Sequence, residues 1–148
     1  MRPKIITLLL ATTMLLATSC QTNQSKNGFR TGLWKTVYQT EPVVYKSRGR
    51  FKGGRETGTW KYYLDGNLYK KEKYSGFKAQ VWFYYPNKKI ASTGQTQLDI
   101  TKKLTHWYYT GDWKFYNPEA QLVEIRTFKK GTAVKDSVIS AIKQKRIQ

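Results

Sequence analysis

The sequence predicts an all-β fold, in which repeated β-hairpins form an elongated, twisted antiparallel sheet. A tryptophan recurs every 22 to 31 residues, at Trp34, Trp60, Trp82 and Trp113. Aromatic and polar residues alternate beyond each tryptophan, as on a strand, and a turn signal follows. Self-similarity at this spacing indicates an array of small units that bury a core only by stacking on one another.

The unit that begins at Gly58 shows the pattern best. Trp60, Tyr62 and Leu64 alternate with polar neighbours and predict the first arm of a hairpin. Turn residues follow at 65–67, and at 86–88 and 117–119 in the later units. Second arms are expected at 68–74, 89–93 and 122–128, and further turns at 51–54, 74–77 and 128–131.

Three places depart from the pattern. Residues 40–42 lengthen the first turn, and Gln80 stands where the third unit should open with a glycine. Residues 93–111 exceed one unit, so Trp107 and the two tyrosines after it leave open a further, degenerate unit.

The large aromatic side chains are expected to form the core, because the same packing position recurs in every repeat. An exposed platform for stacking carbohydrate is the alternative, for which Tyr63, Tyr85 and Tyr109 are best placed. The predicted core positions are Trp34, Trp60, Tyr62, Trp82, Tyr84, Trp113 and Phe115.

The pattern Gly-x-Trp-x-Tyr-Tyr-x-x-Gly-x-Leu at 58–68, followed by an aromatic-x-x-Gly turn, resembles the MORN variant repeat of bacterial proteins. The resemblance covers most of residues 28–131. It implies stacked hairpins. Some proteins of that family are named putative antitoxins, so the resemblance also implies, less specifically, an antitoxin-like role.

The N-terminus reads as a signal peptide. Arg2 and Lys4 precede an apolar stretch at 5–16, which is too short to span a bilayer comfortably. The small residues at 17–19 and then Cys20 resemble the lipobox of bacterial lipoproteins, which implies a covalent lipid on Cys20. No other cofactor is expected. An ordinary cleaved signal with an incidental cysteine is the alternative.

These features divide the chain into four parts. Residues 1–19 are the expected lipoprotein signal peptide, 20–27 the lipidated cysteine and a polar tether, and 28–131 the hairpin repeats. Residues 132–148 are expected to form an amphipathic helix or a tail. The helix would cap the last hairpin, or else lie on a membrane. The expected location is the bacterial cell envelope, on the periplasmic face of the outer membrane.

The chain is strongly basic, with 27 Lys+Arg against 9 Asp+Glu and a net charge of +18. Such a charge favours anionic partners, here anionic lipid, lipid A or peptidoglycan. Lys70, Lys71 and Lys73 are the candidate contact residues. Solvated lysines that keep strands from aggregating are the alternative. Nucleic acid is disfavoured because the expected compartment lies outside the cytoplasm.

Catalytic residues are scarce in the sequence. His106 is the only histidine, and neither zinc-ligand spacing nor a phosphate-binding glycine loop occurs. The expected function is therefore non-enzymatic, as a lipid-anchored binding or scaffold module for anionic envelope components or a protein partner. An antitoxin-like immunity protein that neutralises a periplasmic toxin is the alternative, and a glycan hydrolase is a remote one.

Overall fold

The computed structural model describes residues 21–101 and 104–139, in which ten antiparallel strands form one open sheet in chain order. This confirms the predicted all-β hairpin fold. No helix occurs in the described ranges. The strands are β1 (Gln24–Lys26), β2 (Phe29–Thr40), β3 (Val43–Lys52), β4 (Arg55–Leu64), β5 (Asn67–Ser75), β6 (Lys78–Tyr84), β7 (Ile90–Ile100), β8 (Thr105–Tyr116), β9 (Leu122–Lys129) and β10 (Thr132–Val138).

Two-residue turns with positive φ at both positions join several of the strands. Asp65 and Gly66 connect β4 to β5, with φ of 47° and 81°. Asn27 and Gly28 connect β1 to β2 in the same way, with φ of 51° and 77°. Hairpins favour this geometry because its twist matches that of the flanking strands, and Asn-Gly and Asp-Gly pairs suit it because they tolerate positive φ. Part of the expected tether is therefore a strand, β1.

The expected C-terminal helix is wrong over the described residues. Thr132–Val138 form β10, which pairs with β9. The interval of four between Val134 and Val138 fits one helical turn and equally two strand repeats, so the spacing alone did not separate the two. Residues 140–148, also expected in the helix, lie outside the described ranges.

The extra residues at 93–111 lengthen one hairpin and do not form a unit of their own. Strands β7 and β8 stay paired out to Ile100 and Thr105. Trp107 lies within β8, which continues without interruption to Gly111 and Trp113. The hairpin of β7 and β8 therefore extends beyond the end of its neighbour β6.

The buried core lies on one face of the sheet, which we call the core face. Large aromatic side chains from flanking strands meet above short ones on β6 and β7. The rings of Tyr74 on β5 and Trp107 on β8 are 5.4 Å apart, and Tyr74 lies in register with the buried Ala79 on β6. The most buried apolar residues are Phe51, Trp60, Ala79, Val81, Leu98 and Trp113.

Trp60 and Trp113 each pack against a glycine at a β-bulge. Gly49 on β3 faces the three residues 58–60 on β4, since the register shifts there. A Cβ on Gly49 would lie 2.0 Å from the Trp60 ring, so only glycine leaves room for the indole. The Trp60 Nε1 donates to the Arg50 carbonyl at 3.1 Å. Gly94 stands in the same relation to Trp113.

Candidate functional site

The face opposite the core carries two residues that we expected in the core. Trp82 pairs with Lys71, one register position beyond Val81, and Val81 is the residue that fills the position of Trp60. The cause is a difference of one residue. Trp82 is the fifth residue of β6, whereas Trp60 is the sixth residue of β4, so strand alternation places the two side chains on opposite faces. The prediction of a core position for Trp82 is therefore wrong.

Tyr84 also lies on this second face, where it lines a groove with Lys61 and Lys71. It lies two residues after Trp82 in β6, so strand alternation places both side chains on the same face. The prediction of a core position for Tyr84 is therefore also wrong. The other predicted core residues lie on the core face: Trp34, Trp60, Tyr62, Trp113 and Phe115.

Four cations stand directly opposite one another across this second face. Lys35 on β2 pairs with Arg48 on β3, and Arg48 pairs with Lys61 on β4. Lys61 pairs in turn with Lys71 on β5. Neighbouring strands are about 4.8 Å apart, so the four side chains form a line across the sheet. We call Lys35, Arg48, Lys61 and Lys71 the basic row, and the face that carries it the basic face.

The basic face has no carboxylate from β2 to β6. Glu56 and Glu72 are the acidic residues of these strands, and both lie on the core face, opposite Phe51 and Trp60 respectively. Among the described residues, the ion pairs join Lys70 to Glu72 and Arg126 to Glu124 and Asp136, so none involves the basic row. Like charges directly opposite one another disfavour pairing of the strands. Folding therefore gains nothing evident from this row.

The three lysines chosen from sequence do not share a surface. Lys71 and Lys73 lie on the basic face, where the Lys71 Nζ is 4.1 Å from the centre of the Trp82 ring. Lys70 lies on the core face, and its Nζ is 3.1 Å from the Glu72 Oε1. Strand alternation separates them, because neighbouring residues of a strand point to opposite faces.

The ion pair of Lys70 belongs to a partly buried polar cluster on the core face. The Tyr74 hydroxyl donates to the Glu72 Oε2 at 2.7 Å. The Lys70 Nζ also lies 4.0 Å from the centre of the Tyr62 ring. Burial, and then the negative charge of Glu72, raises the pKa of Tyr62 and of Tyr74 far above the usual range. Every member has a partner, so this cluster is a satisfied part of the core.

A groove opens on the basic face between the turn after β4 and the turn after β6. Its volume is about 510 Å³. The side chains that shape it are Lys61, Tyr63, Leu68, Lys71, Tyr84 and Lys88. We call this depression the turn groove. It brings two members of the basic row together with two half-buried tyrosines.

The described residues show neither a metal-binding cluster nor a membrane-spanning helix. The described residues contain no cluster of three or more His, Cys, Asp or Glu side chains that could hold a metal ion. His106 is exposed on β8, opposite Asp99. In the same ranges no helix has the length and apolar character needed to cross a bilayer. Cys20, the expected site of lipid attachment, lies outside the described residues.

Sequence reasoning missed Lys35, Arg48 and Lys61 as site residues. They are far apart in the chain. Lys35 and Lys61 each follow a repeat tryptophan directly, a recurrence that was an available signal, whereas Arg48 has no such signal. It also missed the partner glycines Gly49 and Gly94, whose signal was a single glycine inside each strand just before a tryptophan-bearing arm.

No family model, no curated protein and no solved structure matches this chain.

Proposed function

We propose that this chain is a lipid-anchored, non-enzymatic protein of the bacterial envelope that binds an anionic envelope component through its basic face. The observation that carries the proposal is the basic row, four aligned cations on a face without carboxylates from β2 to β6. The lipid anchor rests on the lipobox-like residues that end at Cys20, and a MORN-variant-like repeat remains our proposal for the family.

Protection of sheet edges does not account for the row. Lysines that guard against aggregation act on edge strands, where backbone groups are unpaired. β2 to β5 are all interior strands with neighbours on both sides. A solvated face would explain isolated lysines, but it gives no reason for cations to stand in register on four successive strands.

The test measures binding of the full chain to anionic and neutral probes. We expect it to bind polygalacturonate or phosphatidylglycerol vesicles, and to bind dextran and phosphatidylcholine vesicles much more weakly. Raising the salt from 0.1 M to 1 M should abolish binding, because it shortens the Debye length from about 10 Å to about 3 Å. Lys35→Gln, Arg48→Gln and Lys61→Gln together should weaken binding by roughly tenfold to a hundredfold.

A matched variant controls for net charge. Lys52→Gln, Lys129→Gln and Lys130→Gln remove the same three charges from exposed positions outside the row, and should weaken binding far less. Equal losses in the two variants would show that net charge alone drives binding. If no anionic probe binds, the proposal fails and a protein partner is favoured, such as the toxin of an immunity protein.

A further inference from the structure

We propose that the turn groove binds an acidic sugar residue of a glycan chain. This inference rests on the proposed function of the basic face and names the class of ligand that the face recognises. The groove combines three cations, Lys61, Lys71 and Lys88, with the rings of Tyr63 and Tyr84. No carboxylate lines it.

The chemistry of the lining matches a ring that carries an anion. A sugar presents apolar C–H faces and hydroxyl groups, and an acidic sugar adds a carboxylate or a phosphate. Tyrosine offers a flat apolar face together with a polar hydroxyl. In the part of the chain that the structure describes, neither the Tyr63 nor the Tyr84 hydroxyl has a hydrogen-bond partner, so both are free to bond a ligand.

The three lysines of the turn groove supply the positive charge that an acidic sugar requires. Lys61 and Lys88 are exposed, and neither forms an ion pair within the described ranges. Lys71 is held over the Trp82 ring at 4.1 Å, which restrains its ammonium group on the groove side of the sheet. A charged group in the groove would therefore meet donors that are not already engaged with a carboxylate.

The shape favours a glycan chain over a flat membrane. The turn groove is a depression of about 510 Å³ between two hairpin turns. Adjacent strands of a sheet rotate by roughly 20 to 25°, so the four cations of the basic row turn through about 60 to 75° from first to last. A flat surface meets such a row at few points, whereas a flexible chain follows it.

A second depression extends the site along the basic row. It has a volume of about 390 Å³ and is lined by Lys35, Lys46 and Arg48. Tyr63 lines both depressions and lies between them. A glycan of several acidic units therefore has a continuous path across β2 to β5, with Tyr63 at its centre.

The experiment measures binding of the full chain to a galacturonate hexamer, to cellohexaose and to polyphosphate. The galacturonate hexamer should bind, and cellohexaose, which lacks the charge, should not. Tyr63→Leu and Tyr84→Leu should each weaken galacturonate binding by about tenfold, a loss typical of one ring contact, and should leave polyphosphate binding unchanged. Tyr38→Leu, at an exposed position on the core face, is the matched control.

Lys88→Gln keeps the test decisive if a tyrosine variant fails to fold, because Lys88 is an exposed turn residue. It should weaken galacturonate binding more than Lys130→Gln does.

The inference is overturned if the tyrosine and Lys88 variants bind the hexamer as the unmodified chain does, even though the basic-row variant does not. It is also overturned if phosphatidylglycerol vesicles bind and the hexamer does not, which would favour a membrane surface. In both cases the basic face keeps its proposed role.

Discussion

At the scale of single residues, the same side chain has two different environments in this protein. Trp60 is 5% exposed and lies flat against Gly49, and its indole N–H is bonded to a backbone carbonyl. Trp82 is half-buried on the basic face, beside the ammonium group of Lys71. A difference of one residue accounts for this, because Trp60 is the sixth residue of its strand and Trp82 the fifth, and neighbouring residues of a strand point to opposite faces.

Replacing these two tryptophans should therefore have unequal effects. Trp60→Ala should cost about 3–5 kcal/mol of the free energy of unfolding, as for a large aromatic side chain removed from a core. Trp82→Ala should cost much less, because the ring is only partly removed from water. Urea unfolding of both variants checks the comparison. Losses of equal size would mean that Trp82 is as buried as Trp60, contrary to the register described.

At the scale of elements, the β4–β5 hairpin holds a buried carboxylate between two tyrosines. Glu72 is 8% exposed and accepts hydrogen bonds from Tyr74 and Lys70. The Tyr62 and Tyr74 hydroxyl oxygens are 3.5 Å apart. Burial, and then the charge of Glu72, raises the pKa of both phenols. The hairpin therefore keeps two neutral phenols at a pH where free tyrosine ionises.

This hairpin should make the fold sensitive to alkali. Above about pH 10 the two tyrosines ionise in the unfolded chain but keep their protons in the folded one. The unfolded state then binds fewer protons, so the free energy of unfolding should fall as the pH rises, by up to about 1.4 kcal/mol per pH unit for each tyrosine. Below pH 10 this contribution is fully present.

Urea unfolding between pH 9 and 11 measures the slope. Tyr62→Phe should flatten it, since that variant has one fewer phenol to ionise. Tyr38→Phe, at a residue that is 67% exposed, is the control and should leave the slope unchanged. An unchanged slope for Tyr62→Phe would mean that this phenol ionises equally in the folded and the unfolded chain.

At the scale of the whole molecule, the N-terminal end of the described chain is tied to the basic row. The Asn23 side chain accepts from the Lys35 backbone N–H at 2.7 Å and donates to the Lys35 carbonyl at 2.9 Å. Asn23 comes three positions after Cys20, a reach of about 10 Å at most. A lipid on Cys20 would therefore hold the Lys35 end of the basic row close to the membrane.

Removing the expected lipid-attachment site should release the protein from the membrane. Cys20→Ala should move the chain from the membrane fraction to the soluble fraction, because a basic face without a lipid chain binds membranes reversibly. Radiolabelled palmitate should mark the unmodified chain and not the variant. Retention of both forms in the membrane, with no label in either, would contradict the lipoprotein proposal.

The hairpins themselves were predictable from the sequence, because their signals are local. Asp65-Gly66 and the aromatic-x-x-Gly segments specify turns through the φ values of a few residues, and alternation specifies the strands between them. Asn27-Gly28 was an equally local signal for the turn after β1. The polar composition of the residues before it favoured a flexible tether instead, so β1 was not predicted. The spacing of Val134 and Val138 was ambiguous between helix and strand, and pairing with β9 decided it.

The tertiary structure alone decided which face each side chain occupies and which cations meet. One residue fewer between the turn and the tryptophan, in β6 compared with β4, moves that tryptophan to the other face of the sheet. Lys35, Arg48, Lys61 and Lys71 are neighbours only because four strands pair in one particular register. Local sequence specifies turns and strands, but register depends on contacts between residues distant in the chain, and so the basic row has no signature in any single segment.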